Sequence, residues 1–416
     1  MVAKSFRQAV YSVGLSMLML QGAVWAGDWP NWRGPNRDGI SRETGWNPGR
    51  LTDGPKVLWR KQIGIGFASM AVADGRVYAI GNTAQAGDKD EKSHSDILRC
   101  LDAETGEEIW RYAYASSLKP DGYEGGPSAT PTVQAGRVYT LSKHGHVLCL
   151  DAATGSLIWQ RHLGTDHDLE PPRWGFAGSP VIIGELIVLN AGSYGLALHK
   201  QDGRLAWRSE KGPSGYASVV PYERQGRTHA AILGHRELFG VVAATGEVLW
   251  KHPWTTMHDE NITDPIVVGD RVFVSTGLGT GAALLEKTGE TLREIWSHKD
   301  YQTWMDTSVL WQGYIYGSDM RHRALKCLDL ATGEVKWMQK GFGLGTLMLA
   351  DGKLIALSEA GRLIVAEAAP ERYNELASAQ ILDGKCWTVP VLSYGRIYAR
   401  NAAGDLVCVD VSGGGL

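Results

Sequence analysis

Side chains that could hold a metal ion or accept a proton occur in the second half of this chain. Asp259, Glu260 and Asn261 follow one another and offer the hard oxygen atoms that Ca²⁺ prefers. Asp306 and Asp319 offer carboxylates that could act as a general base. We therefore take the first three as candidate metal ligands and the last two as candidate catalytic residues.

Aromatic and basic side chains recur in comparable loops, where flat indole rings could stack a planar ligand. The candidate rim residues are Lys143, His144, Trp174, His235, Trp304, Arg321, His322, Glu359, Trp387 and Asn401. Two further loops combine His with acidic residues, at 162–170 and 252–260, but their spacing matches no helical or knuckle metal motif and favours solvated loops. Polar loops with acidic turn caps explain many of these residues without any ligand.

The elements that must position these loops repeat along the chain. In the stretch Leu150–Trp159, Asp151 can bond back to the backbone, and Gly155 can take the positive φ that a tight turn needs. The same pattern recurs at 101–110 and 328–337, with looser copies between. Its aromatic position is held by Trp59, Trp110, Trp159, Trp207, Trp250, Trp296 and Trp337. A large apolar residue at one position of each repeat predicts packing between neighbouring sheets.

A second periodic signal is a turn glycine followed by an apolar strand. It recurs eight times, at Gly75, Gly136, Gly184, Gly226, Gly269, Gly313, Gly352 and Gly395. Four short strands in about 40–50 residues is the size of one propeller blade. The sequence therefore predicts an all-β, eight-bladed β-propeller of four-stranded antiparallel blades. The strand at 56–60 has no blade before it, so we expect it to close the last blade, and the seventh blade lacks the repeated Trp.

The N-terminal region divides the chain into three predicted segments. Residues 1–26 carry Lys4 and Arg7 before an apolar run that ends at Ala26, which is typical of a cleaved signal peptide. Residues 27–55 are rich in Gly, Pro and Asn and form a predicted N-terminal arm, which either plugs the channel or wraps the outside. Residues 56–416 form the propeller. A cleaved signal peptide without a nearby lipobox Cys predicts a periplasmic or secreted protein.

The charge of the chain narrows the classes of partner that it can bind. A formal net charge of −3 with interspersed positive and negative residues gives no electrostatic basis for binding nucleic acid.

Cys100, Cys149, Cys327 and Cys408 all precede the turn of the repeat, where the other copies carry Ala197, Gly240 and Ala283. We expect this position to require a small residue and the cysteines to form no disulfide.

The repeat Leu-Asp-Ala-x-Thr-Gly-x-x-x-Trp resembles the repeats of the pyrroloquinoline-quinone (PQQ) enzyme superfamily over residues 56–410. That superfamily contains quinoprotein dehydrogenases and non-enzymatic, BamB-like propellers, which this chain resembles more closely in size. The arm is similar to that of secreted PQQ-binding-like β-propeller repeat proteins. The resemblance implies that an enzyme of this superfamily would need an aromatic floor for PQQ, which Trp174, Trp304 or Trp387 could supply. It would also need oxygen ligands for Ca²⁺, which Asp259, Glu260 and Asn261 could supply, and a base, for which Asp306 or Asp319 is available. No stretch matches the cofactor motifs of these enzymes residue by residue, so no family site is transferred to this chain. The adjacent Cys-Cys pair of many quinoprotein alcohol dehydrogenases is missing from the sequence.

These observations favour an extracytoplasmic binding or assembly scaffold for protein or cell-surface ligands. Two alternatives stay open: a PQQ- and calcium-dependent dehydrogenase that oxidises an alcohol or sugar, and a carbohydrate-binding propeller. We expect a monomer that binds no nucleic acid and has no membrane span after signal cleavage.

Overall fold

Short apolar strands separated by glycine turns pair antiparallel along the chain. A computed structural model describes residues 27–52, 54–85 and 94–413. It confirms the predicted β-propeller. The predicted signal peptide at 1–26 lies outside the described residues. Within them, no helix is long and apolar enough to cross a bilayer.

The strands of the N-terminal arm and the first half form four units. The arm carries β1 (Ile40–Ser41) and leads into β2 (Val57–Gln62). Unit 1 contains β3 (Ala71–Ala73), β4 (Arg76–Asn82), β5 (Ser95–Asp102) and β6 (Glu108–Ala115). Unit 2 contains β7 (Thr132–Gln134), β8 (Arg137–Leu141), β9 (His146–Asp151) and β10 (Leu157–His162). Unit 3 contains β11 (Val181–Ile183), β12 (Leu186–Leu189), β13 (Leu196–His199) and β14 (Leu205–Arg208). Unit 4 contains β15 (Val220–Arg224), β16 (Arg227–Leu233), β17 (Glu237–Val242) and β18 (Val248–Pro253).

The second half continues in the same way. Unit 5 contains β19 (Ile266–Val268), β20 (Arg271–Thr276), β21 (Gly281–Thr288) and β22 (Thr291–His298). Unit 6 contains β23 (Val309–Trp311), β24 (Tyr314–Asp319), β25 (Ala324–Asp329) and β26 (Val335–Lys340). Unit 7 contains β27 (Thr346–Ala350), β28 (Lys353–Leu357), β29 (Arg362–Glu367) and β30 (Glu375–Gln380). Unit 8 contains β31 (Val391–Ser393), β32 (Arg396–Arg400) and β33 (Asp405–Asp410) together with β2. The helices are α1 (Leu163–His167) and short 3-10 turns at Pro48–Leu51 and Met257–Asp259.

The N-terminal strand closes the last unit, as predicted. Strand β2 pairs antiparallel with β33, and Trp59 lies opposite Cys408. Units 4 and 5 join into one eight-stranded sheet through a single parallel pair, Lys251 with Thr291. Strand β1 adds to unit 7 by pairing parallel with β27. The pairing of β2 with β33 covers the edge of unit 8, which would otherwise be an open strand that could pair with another chain.

The repeated turn connects most units to the one before it. Asp151 Oδ1 accepts hydrogen bonds from the backbone amides of Ala153 at 3.0 Å and Thr154 at 2.8 Å. Gly155 has a φ of 73° and lies so close to Trp110 of the preceding unit that a Cβ there would be 2.6 Å from the indole. Trp110 Nε1 in turn donates to Ala152 O at 3.0 Å. The turn therefore needs glycine for two reasons, its conformation and the indole that covers it.

The same indole contact recurs around the molecule. The equivalent donations run from Trp59 to Ala103 O, from Trp159 to Lys200 O, from Trp207 to Ala243 O, from Trp296 to Leu330 O and from Trp337 to Ala369 O. These rings lie between sheets, where they bury a large apolar area and satisfy their one polar atom.

Trp250 departs from this pattern because unit 5 has a longer outer hairpin. Strands β21 and β22 continue to Thr288 and Thr291, so no Asp-Thr-Gly turn lies against the Trp250 indole. The ring instead covers Gly240, where a Cβ would be 2.0 Å away, and Nε1 donates to Tyr222 Oη at 3.2 Å. The direct strand pairing between units 4 and 5 accompanies this change.

The residue opposite each repeated Trp is small in most units. Cys149 faces Trp159, Ala197 faces Trp207 and Gly240 faces Trp250. The assignment of Ala283 to this position is wrong, because the longer outer hairpin of unit 5 places Leu284 opposite Trp296. All five cysteines are buried and free.

Unit 7 has a regular outer strand but no repeated Trp. Its register places Ala377 opposite Val365, at the position that Trp holds elsewhere. Trp46 of the arm is buried in the same hydrophobic cluster as Ala377, and the 3-10 turn Pro48–Leu51 packs on β30. The arm therefore supplies the missing aromatic packing at this junction.

Replacing Trp207 by Ala should lower the free energy of unfolding by about 3–5 kcal/mol, because it removes a buried indole and the cavity collapses only partly. Urea unfolding followed by circular dichroism measures the loss. Ile109→Ala is the control: Ile109 is 44% exposed on an outer strand, and its truncation should change stability by less than about 0.5 kcal/mol. Similar losses in the two variants would contradict a role for the indole in joining units 3 and 4.

Candidate functional site

The N-terminal arm reaches the innermost strands of units on different sides of the ring. Trp29 N donates to Val72 O of unit 1 at 2.7 Å, and Val133 N of unit 2 donates to Pro30 O at 2.7 Å. Arg33 Nη1 donates to Thr307 O, directly before unit 6, at 2.8 Å. The arm then continues as β1 beside β27 of unit 7. Since the first strand of each unit is the innermost one, these contacts answer the question that the sequence left open: the arm runs across the channel.

A closed set of hydrogen bonds, which we call the inner ring, links the segments that lead into the innermost strands. Backbone amides donate to the side chain of the next unit: Ser69 N to Thr130 Oγ1, Thr130 N to Ser179 Oγ, Ser179 N to Ser218 Oγ, Ser218 N to Asp264 Oδ1, and Asp264 N to Thr307 Oγ1, all at 2.7–3.0 Å. The remaining links run from Leu347 N to Asp306 Oδ1, from Thr346 Oγ1 to Thr388 O, and from Thr388 Oγ1 to Phe67 O. The inner ring satisfies amides that would otherwise be buried without a partner.

Asp264 is the one carboxylate among the Ser and Thr acceptors of that amide series. Its Oδ1 accepts from Ser218 N, and its Oδ2 accepts from Trp32 Nε1 of the arm at 2.7 Å. Burial raises the pKa of Asp264, and the guanidinium groups of Arg33 and Arg37 oppose that rise. The arm therefore brings both a hydrogen-bond donor and positive charge to this position.

A cavity of about 260 Å³ lies above Trp32, and we call it the axial cavity. Its walls come from the loops that precede the innermost strands of most units. The aromatic lining residues are Trp32, Phe67, Tyr123, Trp174, Tyr216, Trp304 and Trp387. Its acidic lining residues are Asp121, Glu260 and Asp264, and the described residues that line it include no Lys or Arg. The site is thus aromatic and acidic.

Six of the aromatic rings form two groups of contacting rings. Ring centroids are 5.7 Å apart for Trp304 and Trp387, 5.6 Å for Phe67 and Trp387, and 5.5 Å for Phe67 and Tyr123. Trp174 and Tyr216 form a second pair at 5.7 Å. Tilted pairs at these distances are favourable aromatic contacts.

Each cavity indole already uses its N–H within the protein. Trp304 Nε1 donates to Glu260 Oε2 at 2.6 Å, Trp387 Nε1 to Glu359 Oε1 at 3.1 Å, and Trp174 Nε1 to Asp121 O at 2.9 Å. The indoles therefore offer a ligand their ring surfaces rather than a hydrogen-bond donor. Partial burial raises the pKa of Glu260, and the hydrogen bond from Trp304 opposes this rise.

Four of the residues singled out in the sequence meet at this cavity: Trp174, Trp304, Trp387 and Glu260. Glu359 lies behind them and orients Trp387. The sequence identified these as loop residues near a common face, and the structure brings them together.

The candidate metal ligands point to different partners. Asp259 pairs with Arg236 at 2.7 Å and lies 3.3 Å from His235 Nε2. The Asn261 amide is buried and donates to the carbonyl oxygens of Gly234, His235 and Trp254. Glu260 alone faces the cavity. Among the described residues, no group of three or more His, Cys, Asp or Glu side chains is arranged to hold a metal ion.

The candidate bases lie inside the protein rather than at the cavity. Asp319 is fully buried, 2.7 Å from His322 Nδ1 and 3.2 Å from Lys326 Nζ. Asp306 is enclosed in the inner ring, where burial raises its pKa to about 8 and its Oδ2 has no hydrogen-bond partner. Neither carboxylate is among the cavity lining.

The remaining candidate rim residues form hydrogen bonds or ion pairs with neighbouring residues of the protein. Lys143 is buried, donates to Tyr123 Oη and Leu118 O, and has its pKa lowered to about 8 by desolvation. His144 Nε2 lies 3.1 Å from Ser117 Oγ, and Asn401 donates to Asp405. Arg321 pairs with Asp300 on the surface.

Sequence reasoning missed Trp32, Phe67, Tyr123, Tyr216 and Asp264. For Asp264 a signal was present, because a polar residue directly before Pro recurs at Thr130-Pro131, Ser179-Pro180 and Asp264-Pro265. That dipeptide marks the inner ring. The other residues come from the arm and from irregular loops, which carry no periodic signal.

Comparisons with known proteins agree with this architecture. A sequence model of the family described as outer membrane protein assembly factor BamB matches residues 93–339, more than half of the chain. The chain belongs to this family. No curated protein sequence matches significantly.

Among solved structures, the chain is similar to BamB from Moraxella catarrhalis, with a TM-score of 0.61, 14% identity, and coverage of 86% of this chain and 99% of that one. It is also similar to quinohemoprotein alcohol dehydrogenase from Comamonas testosteroni, with a TM-score of 0.67, 12% identity and coverage of 94% and 81%. A europium-containing methanol dehydrogenase gives a TM-score of 0.69, 11% identity and coverage of 90% and 89%. At these identities the likeness establishes the fold alone.

The cavity does not suit PQQ. This cofactor carries three carboxylates, which need cationic or N–H partners. The described lining residues supply carboxylates instead, and the indole N–H groups are already engaged. Arg173 and Lys385, which stack on Trp174 and Trp387, are paired with Asp121 and Glu124. The dispersed positions of Asp259, Glu260 and Asn261 likewise do not suit Ca²⁺.

The Asp264→Ser variant should loosen the arm. It keeps an acceptor for Ser218 N but removes the bond to Trp32 and the charge that balances Arg33. Loss of a charged hydrogen bond worth about 1.5–3 kcal/mol should speed tryptic cleavage after Arg33 and Arg37 by at least about tenfold. Thr307→Ser, which keeps the hydroxyl, is the control and should be cleaved at the wild-type rate. Equal rates for all three proteins would show that Asp264 does not anchor the arm.

Asp306 should make stability depend on pH. Its pKa is about 8 in the folded protein, against an ordinary value of 3.8. From pH 4 to pH 8 the folded state keeps a proton that the unfolded state has lost. Stability therefore falls as the pH rises through this window, by at most about 1.4 kcal/mol per pH unit, and no further above it.

The Asp306→Asn variant should lack this decline when urea unfolding is measured at pH 5, 6.5 and 8. Asp151→Asn is the control, because turn hydrogen bonds lower the pKa of Asp151 and keep it ionised across the range. A wild-type slope that Asp306→Asn leaves unchanged would rule out Asp306 as its source.

Proposed function

We propose that this chain is an extracytoplasmic, monomeric binding propeller that recognises protein or cell-surface ligands and is not a dehydrogenase. The axial cavity carries the proposal. It combines an aromatic wall, an acidic group and a floor supplied by the arm. Such concave sites, where loops of several repeats converge, are where propellers bind ligands.

The inner ring and the arm support a binding role. A ring whose units are fixed to each other at their inner ends holds the cavity loops in place before a ligand arrives. Preorganisation of this kind lowers the entropic cost of binding. Membership of the assembly-factor family supports a protein partner, and the signal sequence predicted at 1–26 supports a periplasmic or secreted location.

Three observations weigh against the dehydrogenase alternative. The lining carries carboxylates where a tricarboxylate cofactor needs positive partners. The candidate calcium ligands diverge. The candidate bases Asp306 and Asp319 are enclosed, so neither reaches a substrate in the cavity.

A carbohydrate ligand is a second candidate. Indole faces stack on sugar rings, and Trp304 and Trp387 present a joined aromatic surface. Glu260 could accept a hydrogen bond from a sugar hydroxyl. Since the cavity indoles have no N–H left to donate, this alternative relies on stacking more than on hydrogen bonds.

The test titrates the protein with PQQ plus Ca²⁺ and, separately, with a panel of glycans and cell-envelope extracts. Tryptophan fluorescence and calorimetry report binding, and dye reduction with alcohols and sugars reports turnover. We expect no quinone-dependent turnover, and binding of at least one panel member that Trp304→Ala or Trp387→Ala weakens at least about tenfold.

Trp311→Ala is the matched control, because Trp311 lies on β23 outside the cavity lining. It should leave binding unchanged. Stoichiometric PQQ binding at micromolar concentration with alcohol oxidation would overturn the binding-protein proposal in favour of the enzyme.

A further inference from the structure

The axial cavity offers a ligand π surfaces and negative charge. Of its three carboxylates, Asp121 pairs with Arg173 at 2.8 Å, and Asp264 is held by Trp32 and faces the charge of Arg33. Glu260 forms no salt bridge within the described residues. Its Oε2 accepts from Trp304, and its second oxygen accepts no hydrogen bond from the described chain. Glu260 is therefore the acidic group of the cavity without a salt bridge among the described residues, although the charges of Arg173 and His258 act on it from a greater distance.

The indoles around Glu260 are suited to attract a cation. Trp304 and Trp387 donate their N–H groups to carboxylates, and such donation increases the negative character of the ring face. Two rim indoles already carry protein cations: Arg173 Cζ lies 4.6 Å from the Trp174 ring centre, and Lys385 Nζ lies 4.3 Å from that of Trp387. The rings of this site thus accept cations within the protein itself.

The volume and the lining of the cavity indicate which kind of cation fits. At about 260 Å³ the cavity is smaller than the pockets of about 300–1,000 Å³ that hold drug-sized ligands. The cavity carboxylates do not suit a hard metal ion, because among the described residues no group of three or more His, Cys, Asp or Glu side chains is arranged to hold one, and the rest of the wall is largely aromatic. Aromatic walls do suit the methyl groups of an alkylated ammonium, whose charge is spread over an apolar surface.

Building on the proposed binding function, we propose that the axial cavity is an aromatic cage for a small organic cation, namely a quaternary or methylated ammonium group. Trp304, over which no protein cation lies among the described residues, provides the main cage wall, and Glu260 provides the counter-charge. Trp387, 5.7 Å away and already in contact with Lys385, flanks the cage. The group is carried either by a free small molecule or by a lipid headgroup, since both present the same chemistry.

The experiment compares choline with 3,3-dimethylbutanol, its uncharged isostere, by calorimetry and tryptophan fluorescence on the full chain. Choline should bind at least about tenfold more tightly than the isostere. Glu260→Gln keeps an acceptor for Trp304 and should weaken choline about tenfold while leaving the isostere unchanged. Glu334→Gln, which removes a surface carboxylate paired with Lys336, is the control and should change neither.

The Trp304→Leu and Trp304→Phe variants distinguish the effect of the aromatic ring from the effect of side-chain volume. Leucine should abolish the preference for choline, and phenylalanine should retain part of it. Vesicles of phosphatidylcholine, with phosphatidylglycerol as the comparison, identify the source: binding of free choline indicates a free cation, and binding confined to phosphatidylcholine vesicles indicates a headgroup.

Equal binding of choline and the isostere, or no effect of Glu260→Gln, would overturn the cation cage. The proposed binding function would survive that result if a neutral ligand from the glycan panel still bound and was lost in Trp387→Ala. If neither choline nor phosphatidylcholine vesicles bind while a neutral ligand does, the cage fails and the cavity remains a binding site. If no ligand of either kind binds, both proposals fail.

Discussion

Neighbouring sheets of this ring are joined mainly outside their strand ladders, because in the described residues only units 4 and 5 share a strand pairing. Loop backbones make some of these junctions, for example from Phe67 N to Pro127 O and from Tyr216 N to Asn261 O, and side chains make others. The inner ring makes this junction at the centre of the molecule. At five junctions a backbone amide at the entry to the inner strand would be buried without a partner, and a hydroxyl or carboxylate of the next unit accepts it. At the other three, Leu347 N donates back to Asp306, and the hydroxyls of Thr346 and Thr388 donate to carbonyl oxygens. Further out along the sheets, an indole that donates to the neighbouring unit makes a second junction at six places. Two attachments at different radii fix the angle between sheets as well as their distance.

Asp264 shows how one change within that ring creates a site. A serine or threonine at this position would satisfy the amide of Ser218 and nothing more. The second carboxylate oxygen reaches Trp32 and so fixes the arm across the channel. The arm then becomes the floor of the axial cavity, and its arginines offset the charge that the carboxylate brings. The acidic and aromatic character of the cavity is thus linked to the closure of the ring.

The periodic part of the chain could be predicted from the sequence. The turn around Asp151 and Gly155, the repeated Trp residues and the N-terminal strand that closes unit 8 all follow from local rules about φ angles and apolar burial. The structure differs from this prediction where a neighbouring unit changes the geometry. The indole of Trp250 covers Gly240, because unit 5 has a longer hairpin. The same hairpin places Leu284 at the position where the sequence predicted a small residue. Periodicity alone could not show this, because the register depends on the length of the hairpin.

The site was predictable only in part. Residue type identified Trp174, Trp304, Trp387 and Glu260, since indoles and carboxylates in loops are candidates for binding a ligand. It could not separate them from Asp259, Asn261 and Asp319, whose side chains turn to Arg236, to backbone carbonyls and to Lys326. The sequence by itself determined a propeller of repeated sheets, because its turns and strands obey local constraints. Only the tertiary structure decided that the arm crosses the channel and that aromatic groups from distant loops surround Glu260, because those contacts join residues that no local pattern relates.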